Sequence, residues 1–217
     1  MTTANMTKRF ELLLVRHGVT DWNEDGRLMG RSAVELNPRG RAEAARVAEM
    51  LEGVSIDAVT ASPQVRTQQT AGPIASSHGL DILTEPDFDE VWLSEAWKGK
   101  TVAELRGDPE LERVIADPTY RSTAIEPIAD VQKRAVAGVE RLRTAESAGR
   151  VVVVSHGDPL RALIAHYLGL DLNVFRRLAC DNGSLSLLRF NRRGARLELL
   201  NWLPQPGSGK PHVLASS

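Results

Sequence analysis

The fold turns on residues 10–23, which read Phe10-Glu11-Leu12-Leu13-Leu14-Val15-Arg16-His17-Gly18-Val19-Thr20-Asp21-Trp22-Asn23. The first part is a short apolar run with the length and composition of a buried strand. It stops at Arg16-His17-Gly18, which delivers a cation, an imidazole and a flexible turn to one end of that strand. In open α/β folds the carboxyl edge of the sheet is where ligands bind. The pattern recurs at Val151-Val152-Val153-Val154, followed by Ser155-His156-Gly157 and a helical pattern. Two strands that each end in His-Gly, nearly the whole chain apart, point to two imidazoles sharing one pocket.

Working outward, Asn37-Pro38 reads as a helix cap with a first-turn proline. Ile56 to Ala61 reads as a second strand. Ser62-Pro63 opens a helix running to about Ser77, with an interruption expected at Gly72-Pro73. Ile82-Leu83 fits a short edge strand. Residues 87–128 lose clear periodicity and read as an insertion of short helices, Thr101 to Leu105 and Pro109 to Ala116, over the active edge of the sheet. Ile128 to Ala148 is amphipathic, and Pro159 to Leu168 and Leu172 to Leu178 are further helices. Leu185 to Phe190 and Arg196 to Trp202 form a hairpin. Strands alternating with helices predict an α/β three-layer sandwich with a mostly parallel sheet. Residues 1–9 read as a disordered lead-in, 10–203 as one domain, and 204–217 as a flexible tail.

Bulk properties narrow the function. With 217 residues, 42% hydrophobic and 25% charged, the chain can bury a full core. A net charge of −1 lacks the basic excess that follows a phosphate backbone, so no nucleic-acid partner is expected. No apolar run approaches the roughly 20 residues of a membrane span, and no signal peptide is evident. One cysteine, Cys180, makes no internal disulfide and suits a cytoplasmic location. An exposed sheet edge leaves a homodimer open.

Arg16, His17, Asn23, Arg66 and His156 are the groups expected at one point. Arg66 lies one turn into the helix that begins after a strand's carboxyl end, and two guanidiniums offer forked donors to an oxyanion. His156-Gly157 open a helix whose positive end and free amides lie close by, Asp158 reading as its cap. Together they describe a compact dianion site, and phosphate is the common small dianion. No Gly-rich nucleotide loop or metal-ligand spacing accompanies them, so neither a metal nor a cofactor is expected.

Three ordered motifs, Arg16-His17-Gly18 with Thr20-x-Trp22-Asn23, Ser62-Pro63-x-x-Arg66 with Thr70-Ala71, and Ser155-His156-Gly157, resemble the histidine phosphatase superfamily. That family includes cofactor-dependent phosphoglycerate mutases and many phosphatases. The resemblance implies a phosphoglycerate mutase-like fold in which His17 attacks phosphorus and forms a phosphohistidine. It further implies that Arg16, Arg66 and His156 bind the equatorial oxygens and that Asn23 adds a hydrogen bond. A carboxylic acid in the insertion would protonate the leaving group; Phe88-Asp89-Glu90 resembles the family's Leu-x-Glu and nominates Glu90, with Glu95 in reserve. The segment after Glu90 is one residue longer than the family pattern and lacks its glycine. The function implied is a metal-independent phosphomonoesterase, with phosphoglycerate mutase as the runner-up and a non-catalytic phospho-ligand binding module behind it.

Overall fold

A computed structural model describes residues 10–145, 149–205, 207 and 209–215; the expected lead-in over 1–9 lies outside them. The strands are β1 (Phe10–Arg16), β2 (Ala58–Ala61), β3 (Ile82–Thr84), β4 (Arg150–Ser155), β5 (Leu185–Asn191) and β6 (Gly194–Trp202). The helices are α1 (Asp21–Glu24), α2 (Pro38–Leu51), α3 (Val65–His78), α4 (Pro109–Ala116), α5 (Ile128–Thr144), α6 (Gly157–Tyr167) and α7 (His212–Ala215).

The six strands form one sheet in the order β3-β2-β4-β1-β5-β6. β3, β2, β4 and β1 are parallel, and β5 and β6 run antiparallel to their neighbours. β1 and β4 lie side by side, with Leu13 opposite Val152 and Arg16 opposite Ser155. That register brings Arg16-His17-Gly18 and His156-Gly157 to the same edge.

Both faces of the sheet are covered, which is why β1 and β4 read as unbroken apolar runs rather than alternating ones. Leu13, Val15, Val152 and Val154 pack against α2 and α3, and Leu12, Leu14, Val151 and Val153 pack with residues of α5 and α6 on the other face. The result is the expected three-layer sandwich with a mixed sheet. A third cluster, including Trp97, Leu111, Val114 and Phe175, fills the insertion and ties it to α5 and α6. No described helix is long and apolar enough to cross a membrane.

Several boundaries differ from those expected. α3 is not interrupted at Gly72-Pro73 but runs through Pro73 to Gly79, a left-handed cap. Burial of Ala71, Ile74 and Ala75 against the sheet holds the helix across the backbone hydrogen bond that proline removes. Thr101 to Leu105 forms turns rather than a helix. α5 ends at Thr144, and residues 146–148 of the expected helix lie outside the described ones. Within the expected tail over 204–217, where residues 206, 208, 216 and 217 lie outside the described ones, α7 seats Leu214, 3% exposed, in the same cluster as Leu13 and Val152.

Candidate active site

The loop after β1 is built by close backbone approach. A side chain on Gly18 would lie 2.4 Å from the carbonyl oxygen of Gly40, and one on Gly40 would lie 2.0 Å from that of Val19. Only glycines let the start of α2 press onto this loop. The Gly18 N–H donates to Thr70 Oγ1 at 3.1 Å and that of Val19 to Glu43 Oε2 at 2.8 Å, fixing His17 between α2 and α3.

His17 is 2% exposed. Its Nδ1 lies 2.7 Å from the Gly18 carbonyl, which can only accept, so Nδ1 carries the proton and Nε2 the lone pair. Burial, then Arg66 and Arg16, hold its pKa well below 6.5. The ring is therefore neutral and presents a nucleophilic nitrogen at physiological pH.

The His156 ring centroid is 5.2 Å from that of His17. Rather than Asp158, His156 is the residue that caps α6, and its side chain is not spent on the helix. Arg66 Nη2 donates to His156 Nδ1 at 3.1 Å, which places the ring proton on Nε2, 2.8 Å from Ser62 Oγ. Ser62 in turn donates to Asp89 Oδ1 at 3.2 Å. Burial, followed by Arg66, keeps His156 well below 6.5 as well.

Arg66 is fully buried. Its terminal nitrogens donate to the carbonyls of Ser32 and Gly30 at 2.9 and 2.8 Å. Arg16 Nη1 donates to the Cys180 carbonyl at 2.7 Å. Arg16 Nε and Arg66 Nε are buried and have no hydrogen-bond partner among the described residues. Two unused guanidinium donors beside a neutral imidazole are what a tetrahedral dianion demands. A side chain on Gly157 would press on Arg161 Nη1 at 3.0 Å and come into ordinary contact with Arg16 Nε and Cζ at 3.6 Å.

Asn23 ends the capping box of α1, its Oδ1 accepting from Thr20 N and Thr20 Oγ1 at 3.1 Å each. Glu90 arrives from the insertion, with Oε2 3.8 Å from His156 Nδ1. Burial, and then the charge of Asp158, push its pKa up to about 7 against the pull of Arg66 and Arg16. A carboxyl that keeps its proton near neutrality can act as a general acid. The Glu90 carbonyl accepts from Arg31 and Arg134, both at 3.0 Å, so its backbone is held from two sides. Glu95, by contrast, has an 87% exposed side chain paired with Lys98 and does not join the group. Trp97 packs inside the insertion, and Trp92 is 43% exposed.

The site thus gathers Arg16, His17, Asn23, Arg66, Glu90, His156 and Gly157. Three polar partners carried no role in the sequence reading. Ser62 stands in the Ser-Pro-x-x-Arg motif and Asp89 beside Glu90, so both were visible but unassigned. Asn182 donates to the His17 carbonyl at 3.0 Å and to Asn23 Oδ1 at 3.2 Å. In sequence it belongs to Asp181-Asn182-Gly183, which signals only a turn.

Comparison with known proteins identifies the family. The model of the histidine phosphatase superfamily (branch 1) matches residues 12–203. "Phosphoserine phosphatase 1" of Hydrogenobacter thermophilus is 32% identical over 84% of this chain and 88% of its own length. "Probable phosphoglycerate mutase GpmB" of an Enterobacter species is 32% identical over 83% of this chain and 85% of its own. Among solved structures, a mycobacterial glucosyl-3-phosphoglycerate phosphatase in complex with VO3 superposes with a TM-score of 0.80. It is 28% identical and the match covers 88% of this chain and 98% of that one. With the family model matched over residues 12–203 and the relatives sharing nearly a third of their residues, the chain belongs to the histidine phosphatase superfamily, branch 1.

Proposed function

We propose that this enzyme is a metal-independent phosphomonoesterase that hydrolyses a small phosphorylated metabolite through a phosphohistidine on His17. The observation that carries this reading is His17 itself. Its Nδ1 proton is committed to the Gly18 carbonyl, the charges of Arg66 and Arg16 act on its ring, and each of those guanidiniums keeps a buried Nε–H without a partner among the described residues. In the first step the Nε2 lone pair forms a bond to phosphorus as the bond to the ester oxygen breaks, and Glu90 gives its proton to that oxygen. Arg16, Arg66, the Gly157 amide and Asn23 hold the phosphoryl oxygens, where charge spreads in the transition state, and His156, its ring nitrogens engaged by Arg66 and Ser62, keeps the Arg66 fork in place beside them. In the second step the Glu90 carboxylate takes a proton from water, whose oxygen displaces His17 and releases phosphate.

The names of the relatives support small phosphorylated metabolites as substrates, since they include phosphoserine and glucosyl-3-phosphoglycerate phosphatases. A second reading, phosphotransfer as in a phosphoglycerate mutase, is favoured by the mutase-named relative. Incubation with 3-phosphoglycerate, with and without 2,3-bisphosphoglycerate, separates the two. Release of phosphate across a panel of phosphomonoesters is expected. Fast 2-phosphoglycerate formation without phosphate release would establish the mutase. Turnover of p-nitrophenyl phosphate that persists in chelator and vanishes in His17→Ala is expected, and the same loss excludes a simple binding module.

A further inference from the structure

We infer that Asn182 is a positioning residue: its amide ties the Asn23 side chain to the backbone of the nucleophile and so sets where one phosphate donor stands. This inference rests on the reading of Asn23 as a phosphate ligand. An amide NH2 has two hydrogens. Here they have two acceptors, the His17 carbonyl at 3.0 Å and Asn23 Oδ1 at 3.2 Å, while the Gly18 carbonyl and His17 Nδ1 are both at 3.5 Å. One group from the loop before β5 therefore bridges the nucleophile and its neighbour in α1.

The consequence for Asn23 is directional. Its Oδ1 accepts from the Thr20 N–H, the Thr20 hydroxyl and the Asn182 amide. Turning the Asn23 amide over would set its NH2 against the Thr20 N–H and the Asn182 NH2, neither of which can accept. Oδ1 is thus held on the protein side and Nδ2 is left on the other branch as a donor. Thr20 alone fixes Asn23 only to its own short helix. Asn182 adds the contact that fixes it relative to His17.

The loop does not need this side chain to hold its place. The Gly183 N–H donates to the carbonyls of Arg16 and His17, both at 3.2 Å, and Arg16 N–H donates to the Ser184 carbonyl at 3.1 Å. Gly183 has a left-handed backbone, φ +67, and packs on Glu43. On the other side Asn201 holds Asp181 through its backbone N–H and its carboxylate. Backbone clamps carry the loop, and the Asn182 amide is left to act on Asn23.

A double-mutant cycle on p-nitrophenyl phosphate tests this, using Asn182→Ala, Asn23→Ala and the pair. Each single change is expected to lower kcat/KM by about tenfold, the usual scale for losing one hydrogen bond to a charged group. The double variant is expected to match Asn23→Ala, because Asn182 acts through Asn23. Asn182→Asp keeps the shape, removes both donors, and is expected to lose at least as much as Asn182→Ala. Should Asn182→Ala fail to fold, Asn182→Asp replaces it in the cycle. Equal losses from the Asn182 change with and without Asn23, or an Asn182→Asp protein at parental speed, would overturn the inference while leaving the phosphate role of Asn23 intact. An Asn23→Ala protein as fast as the parent would instead overturn the reading of Asn23 itself.

Discussion

His17 Nδ1 and the Gly18 carbonyl oxygen are 2.7 Å apart, a side chain bonded to the residue that follows it. The contact decides which ring nitrogen can react. A phosphoryl group trapped on the enzyme is therefore expected on Nε2, readable by phosphorus NMR of the adduct quenched in base. An adduct on Nδ1 would show that the ring turns over before attack.

The pH dependence follows from two opposite displacements. In the proposed mechanism His17 attacks as the neutral ring, and its pKa is held well below 6.5, so the acid limb of kcat/KM should also lie well below 6.5. Glu90 must be protonated to serve a poor leaving group, so activity on an alkyl phosphate should fall as pH rises through about 7. In Glu90→Gln that alkaline limb should disappear, and the rate should drop by about 10²–10⁴-fold on the alkyl phosphate and by less on p-nitrophenyl phosphate. A Glu90→Gln enzyme that kept both the limb and the rate would remove Glu90 from the mechanism.

Stability should carry the same signature. Glu90 has a folded pKa raised from 4.5 to about 7, so the folded state holds its proton more tightly and loses stability as pH climbs through that window. The gap corresponds to roughly 3 kcal/mol at full effect. Thermal melts should therefore find Glu90→Gln more stable than the parent at pH 8, with little difference at pH 4.5. His17 and His156 act in the other direction. Their depressed values mean stability present above 6.5 and lost as pH falls below it. Equal melting of Glu90→Gln and the parent at pH 8 would contradict the buried, proton-holding carboxyl.

Arg66 serves structure and chemistry at once. Its guanidinium satisfies the buried carbonyls of Gly30 and Ser32 and the His156 ring, and Nε is left over. A lysine ammonium cannot reproduce that fork. Arg66→Lys should lower kcat/KM by about 10²-fold or more, the scale for losing an oriented charge-stabilising donor, and should lower the melting temperature too. Steady-state kinetics beside calorimetry would check both, and full activity in the lysine variant would refute the forked contact.

Gly40 stands in α2 and touches no group of the phosphate site, yet its missing side chain is what lets Val19 lie against it. Gly40→Ala should destabilise by about 1–3 kcal/mol, as overpacking does. It should also slow turnover, because Val19 is two residues from His17. A variant with parental melting and parental rate would mean that this contact relaxes freely.

The strands and the charged core of the site were legible because each left a pattern. β1 and β4 are buried on both faces and so read as unbroken apolar runs, each ending in His-Gly. Arg66 was placed by Ser62-Pro63 one turn before it. Asn182 was not legible: an Asp-Asn-Gly triplet signals a turn, and nothing local says that its amide will meet His17 and Asn23. Pro73 misled in the other direction. A proline inside a helical pattern argues for a break, and only the packing of Ile74 and Ala75 on the sheet shows why none occurs. The docking of Leu214 was hidden by the Pro, Gly and Ser around it, which dominate composition but not contacts.

The pairing of β1 with β4 has a consequence for biosynthesis. The strand that leads into Arg16-His17-Gly18 is synthesised well before its neighbour, which bears Ser155-His156-Gly157. Closing so long a span is slow, and until β4 is made β1 has no partner strand on either flank. A site that draws on the ends of both strands is thus assembled only after β4 has been made, which sets the order in which its groups can meet.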